Sequence, residues 1–129
     1  MERRRVFSGA PWEKRTGYCR AIRVGGQISV SGTAPVAEDG STFAPGDGYL
    51  QAKRCLEIVA RALGELGASL SDVVRTRMFV TDIGRFDEFA RAHGETFGTH
   101  PPATSMVEVK ALVAPDMLIE IEADAIVET

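Results

Sequence analysis

Hydrophobic and polar positions alternate most regularly near the end of the chain, in MLIEIEADAIV (117–127). One side of the alternation is Met117, Ile119, Ile121, Ala123, Ala125 and Val127; the other is Leu118, Glu120, Glu122, Asp124 and Ile126. A period of two predicts a strand with one apolar and one acidic face. Shorter runs of the same type occupy 3–7, 18–24, 27–32, 72–82 and the segment TSMVEVKAL from residue 104. Gly25 and Gly26 split the second and third as in a hairpin. Elsewhere the period lengthens. Ala52, Cys55, Leu56, Val59, Ala62, Leu63 and Leu66 predict an amphipathic helix over 48–66, with Gly67 placed to terminate it. Phe86, Phe89, Ala90, His93 and Phe97 predict a second over 84–97, capped by Asp82. The stretches 8–17 and 35–48 read as turn and loop.

The resulting order is β-β-β-α-β-α-β-β. It is an α+β two-layer domain, a mixed six-stranded sheet with both helices on one face, spanning residues 1–129 as one domain. The helix-covered face is expected to hold Ile28, Val30, Val74, Thr76, Met78, Val80, Val107, Val109, Ile119 and Ile121. The opposite face collects Tyr18, Arg20, Ser29, Ser31, Thr33, Arg75, Arg77, Phe79, Thr104, Met106, Glu108, Glu120 and Glu122. Charges of both signs mixed with Phe and Met suit either a solvated sheet or an oligomer interface, and periodicity does not decide between them.

Composition narrows the classes. A net charge of −3 and no basic block beyond Arg3–Arg5 argue against a nucleic-acid surface. No apolar run reaches the length of a membrane span, and the basic N-terminus lacks a signal-type apolar core, so a cytoplasmic location is expected. Cys19 and Cys55 have no metal or redox spacing, and His93 and His100 have no second ligand nearby in sequence, so no metal is expected. No phosphate loop, dinucleotide fingerprint or nucleophile elbow is present. What remains is Glu120 on a strand, with hydroxyls from Tyr18 and Ser31 on neighbouring strands. Such a set can bind a small carboxylate and handle a proton or a water, although each residue would serve equally as ordinary strand surface.

Three stretches, GYCRAIRVGGQISVSGTAPVAEDG, GDGYLQAKRCLEIVARALGELGASLSDVVRTRMFVTDI and PPATSMVEVKALVAPDMLIEIEADAIV, together resemble the RidA/YjgF family, also labelled endoribonuclease L-PSP. The resemblance implies a chorismate-mutase-like fold and a homotrimer whose sheets line a central barrel, with ligand clefts at the subunit boundaries. It also implies cofactor-free hydrolysis of reactive enamines and imines, such as 2-aminoacrylate, to 2-keto acids and ammonia. Within it Tyr18, Ser31 and Gly32 correspond to cleft-lining positions, and Glu120 to the acid that positions or activates water. Archetypes carry PARS where this chain has Pro102-Ala103-Thr104-Ser105, so Thr104 stands where their Arg grips the substrate carboxylate. Met106 replaces their cysteine, and Ala90 falls where they carry an asparagine. Arg20 and Arg77 are candidates for a different anion grip or for neutralising Glu108, Glu120 or Glu122 across subunits. A small-molecule hydrolase is the expected function. The alternatives are a non-catalytic metabolite-binding or regulatory trimer and, against the acidic balance, an RNA-cleaving protein.

Overall fold

A computed structural model describes residues 1–128. Six strands form one mixed sheet: β1 (Arg3–Val6), β2 (Ala21–Val24), β3 (Gln27–Thr33), β4 (Val73–Val80), β5 (Ala103–Glu108) and β6 (Ile119–Ile126), in the spatial order β1-β2-β3-β6-β4-β5. All neighbours are antiparallel except β4 and β5, which run parallel and are joined through a helix. The helices are α1 (Pro11–Thr16), α2 (Gly48–Glu65) and α3 (Phe86–Phe97). The alternating strand therefore ends up second from neither edge but inside the sheet, hydrogen-bonded to β3 on one side and β4 on the other.

The two long helices form where the 3.6-residue pattern places them. Asp47 caps α2, accepting from the Leu50 amide at 2.9 Å, and Gly67 follows its C-terminus with φ +79°. Ala52, Cys55, Leu56, Val59, Ala62 and Leu63 are buried against Ile28, Val30, Met78, Val80, Ile119 and Ile121. Asp82 caps a single 3-10 turn (Ile83–Arg85) that leads into α3, so α3 itself begins at Phe86. Phe86, in the first turn, is consequently exposed, while Phe89, Ala92 and Phe97 enter the core.

Further sequence expectations need correction. Thr33, expected on the uncovered face, is fully buried and pairs with Ile121, because β3 gains a residue after Val30, and β2 begins at Ala21, so Tyr18 and Arg20 precede it. The segment read as a turn at 8–17 contains α1, whose Pro11 needs no backbone partner in the first turn and whose end is closed by Gly17 at φ +84°. On β4 an extra residue interrupts the pairing with β6 between Val73 and Arg75, so Val73 is buried and Val74 is 44% exposed. The parity of β5 is the reverse of that expected. Thr76 pairs with Thr104, Met78 with Met106 and Val80 with Glu108, which puts Thr104, Met106 and Glu108 on the helix side of the sheet. Val107 opposes Phe79 on the other side and is 47% exposed. An edge strand with little burial on either face carries almost no hydrophobic signal of its own, and the parallel register to β4 fixes its orientation instead.

Gln51 ties the helical layer to the chain entering β6. Fully buried on α2, it accepts from the Leu118 amide at 2.8 Å and donates to the Asp116 carbonyl at 3.0 Å. A near-isosteric apolar replacement would orphan both backbone groups, each costing about 1–3 kcal/mol when buried. Gln51→Leu is expected to destabilise the protein by about 2–4 kcal/mol, measured by urea unfolding. A loss below about 0.5 kcal/mol would mean that the 114–118 turn does not depend on this residue.

Candidate functional site

At the end of β3 the chain gains one residue relative to β6: Val30 pairs with Ala123, but Thr33 pairs with Ile121. Such bulges bend a strand and re-aim neighbouring side chains. Ser31 and Gly32 lie inside this irregularity. A Cβ placed on Gly32 would land on the Glu120 carboxylate oxygen, so the acid occupies room that only glycine leaves free. Glu120 lies on the β6 face that the helices do not cover, opposite Phe79. Its carboxylate has no hydrogen-bond partner within the chain among the described residues. Burial pushes its pKa up from 4.5; Arg20 opposes that rise and Glu122 adds to it.

Around Glu120 lies a cleft of about 280 Å³. Tyr18, Arg20, Gly32 and Glu120 are among its polar lining, and Trp12, Val36, Ile58, Val113 and Met117 form its apolar lining. Trp12 arrives on α1, which is held by the buried Glu13 carboxylate accepting from the Ser8 amide (3.0 Å) and hydroxyl. Val36 is positioned by Arg54 of α2, whose Nε donates to the Val36 carbonyl at 2.7 Å. Met117 follows from the Gln51 tether. Ser31 does not line this cleft. Its hydroxyl donates to the Cys19 carbonyl at 2.7 Å, and it borders an adjoining depression shared with Tyr18 and Cys19.

Arg20 and Arg77 have different surroundings. Arg77 bridges Glu122 (3.2 Å) and Asp124 (3.1 Å) on the uncovered face of the sheet and does not line the cleft. Arg20 lines it. One of its Nη groups donates to the Gly32 carbonyl at 2.7 Å, its Cζ is 5.7 Å from the Tyr18 ring centroid, and its Nε is buried with no partner.

Thr104 and Met106 are elsewhere. The Thr76 hydroxyl donates to Thr104 Oγ1 at 2.6 Å and meets His93 Nε2 at 2.8 Å, which makes a short polar chain on the helix side of β5. Burial lowers the His93 pKa, and its ring packs 4.6 Å from that of Phe97. Two strand spacings, about 10 Å, and the thickness of the sheet separate this cluster from Glu120. Within one chain the sequence-selected residues thus divide into a Tyr18–Arg20–Gly32–Glu120 group and a Thr104–Met106 group.

Sequence reasoning missed α1, Trp12 and Gln51. For α1 the signal was present, with Pro11 at the first helical position and Gly17 just past the last. Gln51 interrupts no periodicity and gave none. Cys55 is fully buried, with its thiol pKa pushed far up by burial, and belongs to the core. Among the described residues no group of His, Cys, Asp and Glu is arranged to hold a metal ion, and no helix is long and apolar enough to cross a membrane.

A sequence model of the family described as Endoribonuclease L-PSP matches residues 9–127. A RutC family protein of Pyrococcus abyssi is 39% identical over 108 residues, covering 84% of each chain. The crystal structure of Rv2704 from Mycobacterium tuberculosis, a member of the YjgF/YER057c/UK114 family, superposes with a TM-score of 0.89 at 45% identity, over 98% of this chain and 100% of that one. Escherichia coli TdcF with bound serine gives 0.81 at 28% identity, over 97% and 94%.

Because folding raises the Glu120 pKa, the folded state keeps that proton to a higher pH than the unfolded chain. The resulting stability is present below 4.5 and is lost as pH rises through the folded-state value. Glu120→Gln is therefore expected to raise Tm relative to wild type at pH 7 and to leave it close to wild type at pH 4. A variant less stable at pH 7 would show that ionised Glu120 is a net structural asset.

Proposed function

The chain belongs to the endoribonuclease L-PSP family, whose members carry the YjgF and RutC names, and we propose that its cleft hydrolyses imine or enamine metabolites to carbonyl compounds and ammonia. The observation that carries this reading is Glu120, a half-buried carboxylate lining a cleft with apolar walls and without a hydrogen-bond partner among the described residues. In the reaction, water adds to the carbon of C=N while Glu120 takes its proton. That proton passes to nitrogen to give a carbinolamine; Glu120 then takes the proton of the new hydroxyl and delivers it to the amino nitrogen, the C–N bond breaks, and ammonia leaves as the C=O bond forms. A base that must also return its proton works best with a pKa lifted toward neutrality, which is the direction in which burial moves Glu120. Gly32 holds the space in which the carboxylate sits, and Tyr18 borders the reacting atoms. Bound serine in TdcF supports a free amino acid skeleton as the kind of molecule handled.

We propose further that the chain assembles as a homotrimer. Strand β5 is largely exposed and has one unpaired edge, an arrangement that natural sheets normally cover. A neighbouring copy that brought its β5 edge to this cleft would unite the Thr104–Met106 group with Glu120. Light scattering is expected to give a mass of three 13.9 kDa chains; a monomer at micromolar concentration would remove this part of the reading.

The test of activity is release of 2-keto acid, above the spontaneous rate, from imino acids generated in situ by an amino-acid oxidase. Wild type is expected to accelerate release and Glu120→Gln to lose about 10²–10⁴-fold, the usual contribution of a general base. The acidic limb of kcat/KM is expected above 4.5, falling as Glu120 is protonated. Gly32→Ala is expected to reduce the rate while changing Tm little, because the displaced group is the mobile end of Glu120. Saturable binding with no acceleration would turn the reading to a metabolite-binding protein. Acceleration that survives Glu120→Gln would remove Glu120 from the mechanism.

A further inference from the structure

The cleft is lined by a cation and by several large apolar side chains, and this bears on which molecules enter it. Arg20 is the cation among its lining residues. Its guanidinium is held in place by the Gly32 carbonyl and the Tyr18 ring, yet it forms no ion pair with any carboxylate within 4 Å among the described residues. Its Nε is, moreover, a buried side-chain donor with no partner. A guanidinium has five N–H donors in a planar fork suited to a carboxylate, so most of its capacity is unused. The same cleft is lined by Trp12, Ile58, Val113, Val36 and Met117, with Trp12 46% and Val113 62% exposed. The space of about 280 Å³ holds roughly nine waters, more than a three-carbon acid displaces.

We propose that Arg20 grips the carboxylate of the ligand while the Trp12–Ile58–Val113 wall receives a bulky apolar side chain, so that the cleft selects 2-imino acids with aromatic or branched substituents over 2-aminoacrylate. Naming the imine rests on the reading above; the anion grip and the apolar selectivity do not. Glu120 and Tyr18 are the other titratable groups lining the cleft. A carboxylate on Arg20 with its α-carbon toward Glu120 keeps the two negative groups at opposite ends of the reacting fragment. The arrangement also accounts for Thr104: its neutral hydroxyl, already engaged with Thr76, is not required as an anion site.

Equilibrium binding of unreactive probes tests this apart from turnover. The probes are 3-phenylpropionate, its neutral amide 3-phenylpropanamide, and propionate, measured by calorimetry on the intact protein. Wild type is expected to bind 3-phenylpropionate at least tenfold more tightly than either of the others. Arg20→Gln is expected to lose about 10–100-fold for the acid and to bind acid and amide alike, with Arg20→Lys recovering part of the preference. Trp12→Ala is expected to lose about 3–10-fold for 3-phenylpropionate and nothing for propionate. Since Arg20 also supports Gly32, Trp12→Ala and the acid-to-amide ratio of wild type keep the test decisive if Arg20 variants fold poorly. Equal binding of acid and amide by wild type, equal binding of propionate and 3-phenylpropionate, or no binding of 3-phenylpropionate at 10 mM (roughly the weakest useful affinity) would overturn the proposal. If binding behaves as expected and no imine is hydrolysed, the selectivity stands and the enzymatic reading falls.

Discussion

A carboxylate can ride on an internal strand of this sheet, half-withdrawn from water, only because the neighbouring strand leaves a gap for it. Gly32 makes that gap, and the extra residue in β3 relative to β6 places Gly32 beside Glu120. The rest of the site follows from this accommodation. Burial raises the acid's pKa, the nearby Arg20 limits the rise, and the Gly32 carbonyl in turn fixes Arg20. One small residue thereby couples the shape of the strand, the protonation of the acid and the orientation of the cation.

The scaffold around the cleft is assembled from side-chain to backbone hydrogen bonds. Gln51 holds the turn before β6, Arg54 holds Val36, and Glu13 holds the loop before α1. Each fixes a loop against a long helix or against its own turn, so the apolar walls rest on ordered backbone although all but Ile58 of α2 come from loops and a six-residue helix. The uncovered face of the sheet has its own balance. Arg77 is taken up by Glu122 and Asp124, which leaves Arg20 as the cation lining the cleft.

Strong periodicity made most of the fold legible. Strand β6, helix α2 and the core stripe Ile119–Ile121 against Cys55, Leu56 and Val59 could be read because each buries a continuous face. Legibility failed where burial is not the organising force. Strand β5 is exposed on both sides, so its parity came from the hydrogen-bonded register to β4 rather than from its side chains, and Thr104 and Met106 were assigned to the wrong face. Val74 was misplaced because a bulge shifts the alternation by one. At the site, Tyr18, Gly32 and Glu120 come together in one cleft, whereas Ser31 turns to the Cys19 carbonyl. Trp12 escaped notice because its helix is too short to show a period.

The site turns on the electrostatic state of one side chain, which carbon-13 NMR of labelled glutamate can follow directly through pH. The Glu120 carboxyl is predicted to titrate above 4.5 in the wild-type protein and higher still in Arg20→Gln, where the opposing cation is gone. A midpoint at or below 4.5, or one that Arg20→Gln leaves unmoved, would contradict the coupling on which the cleft is built.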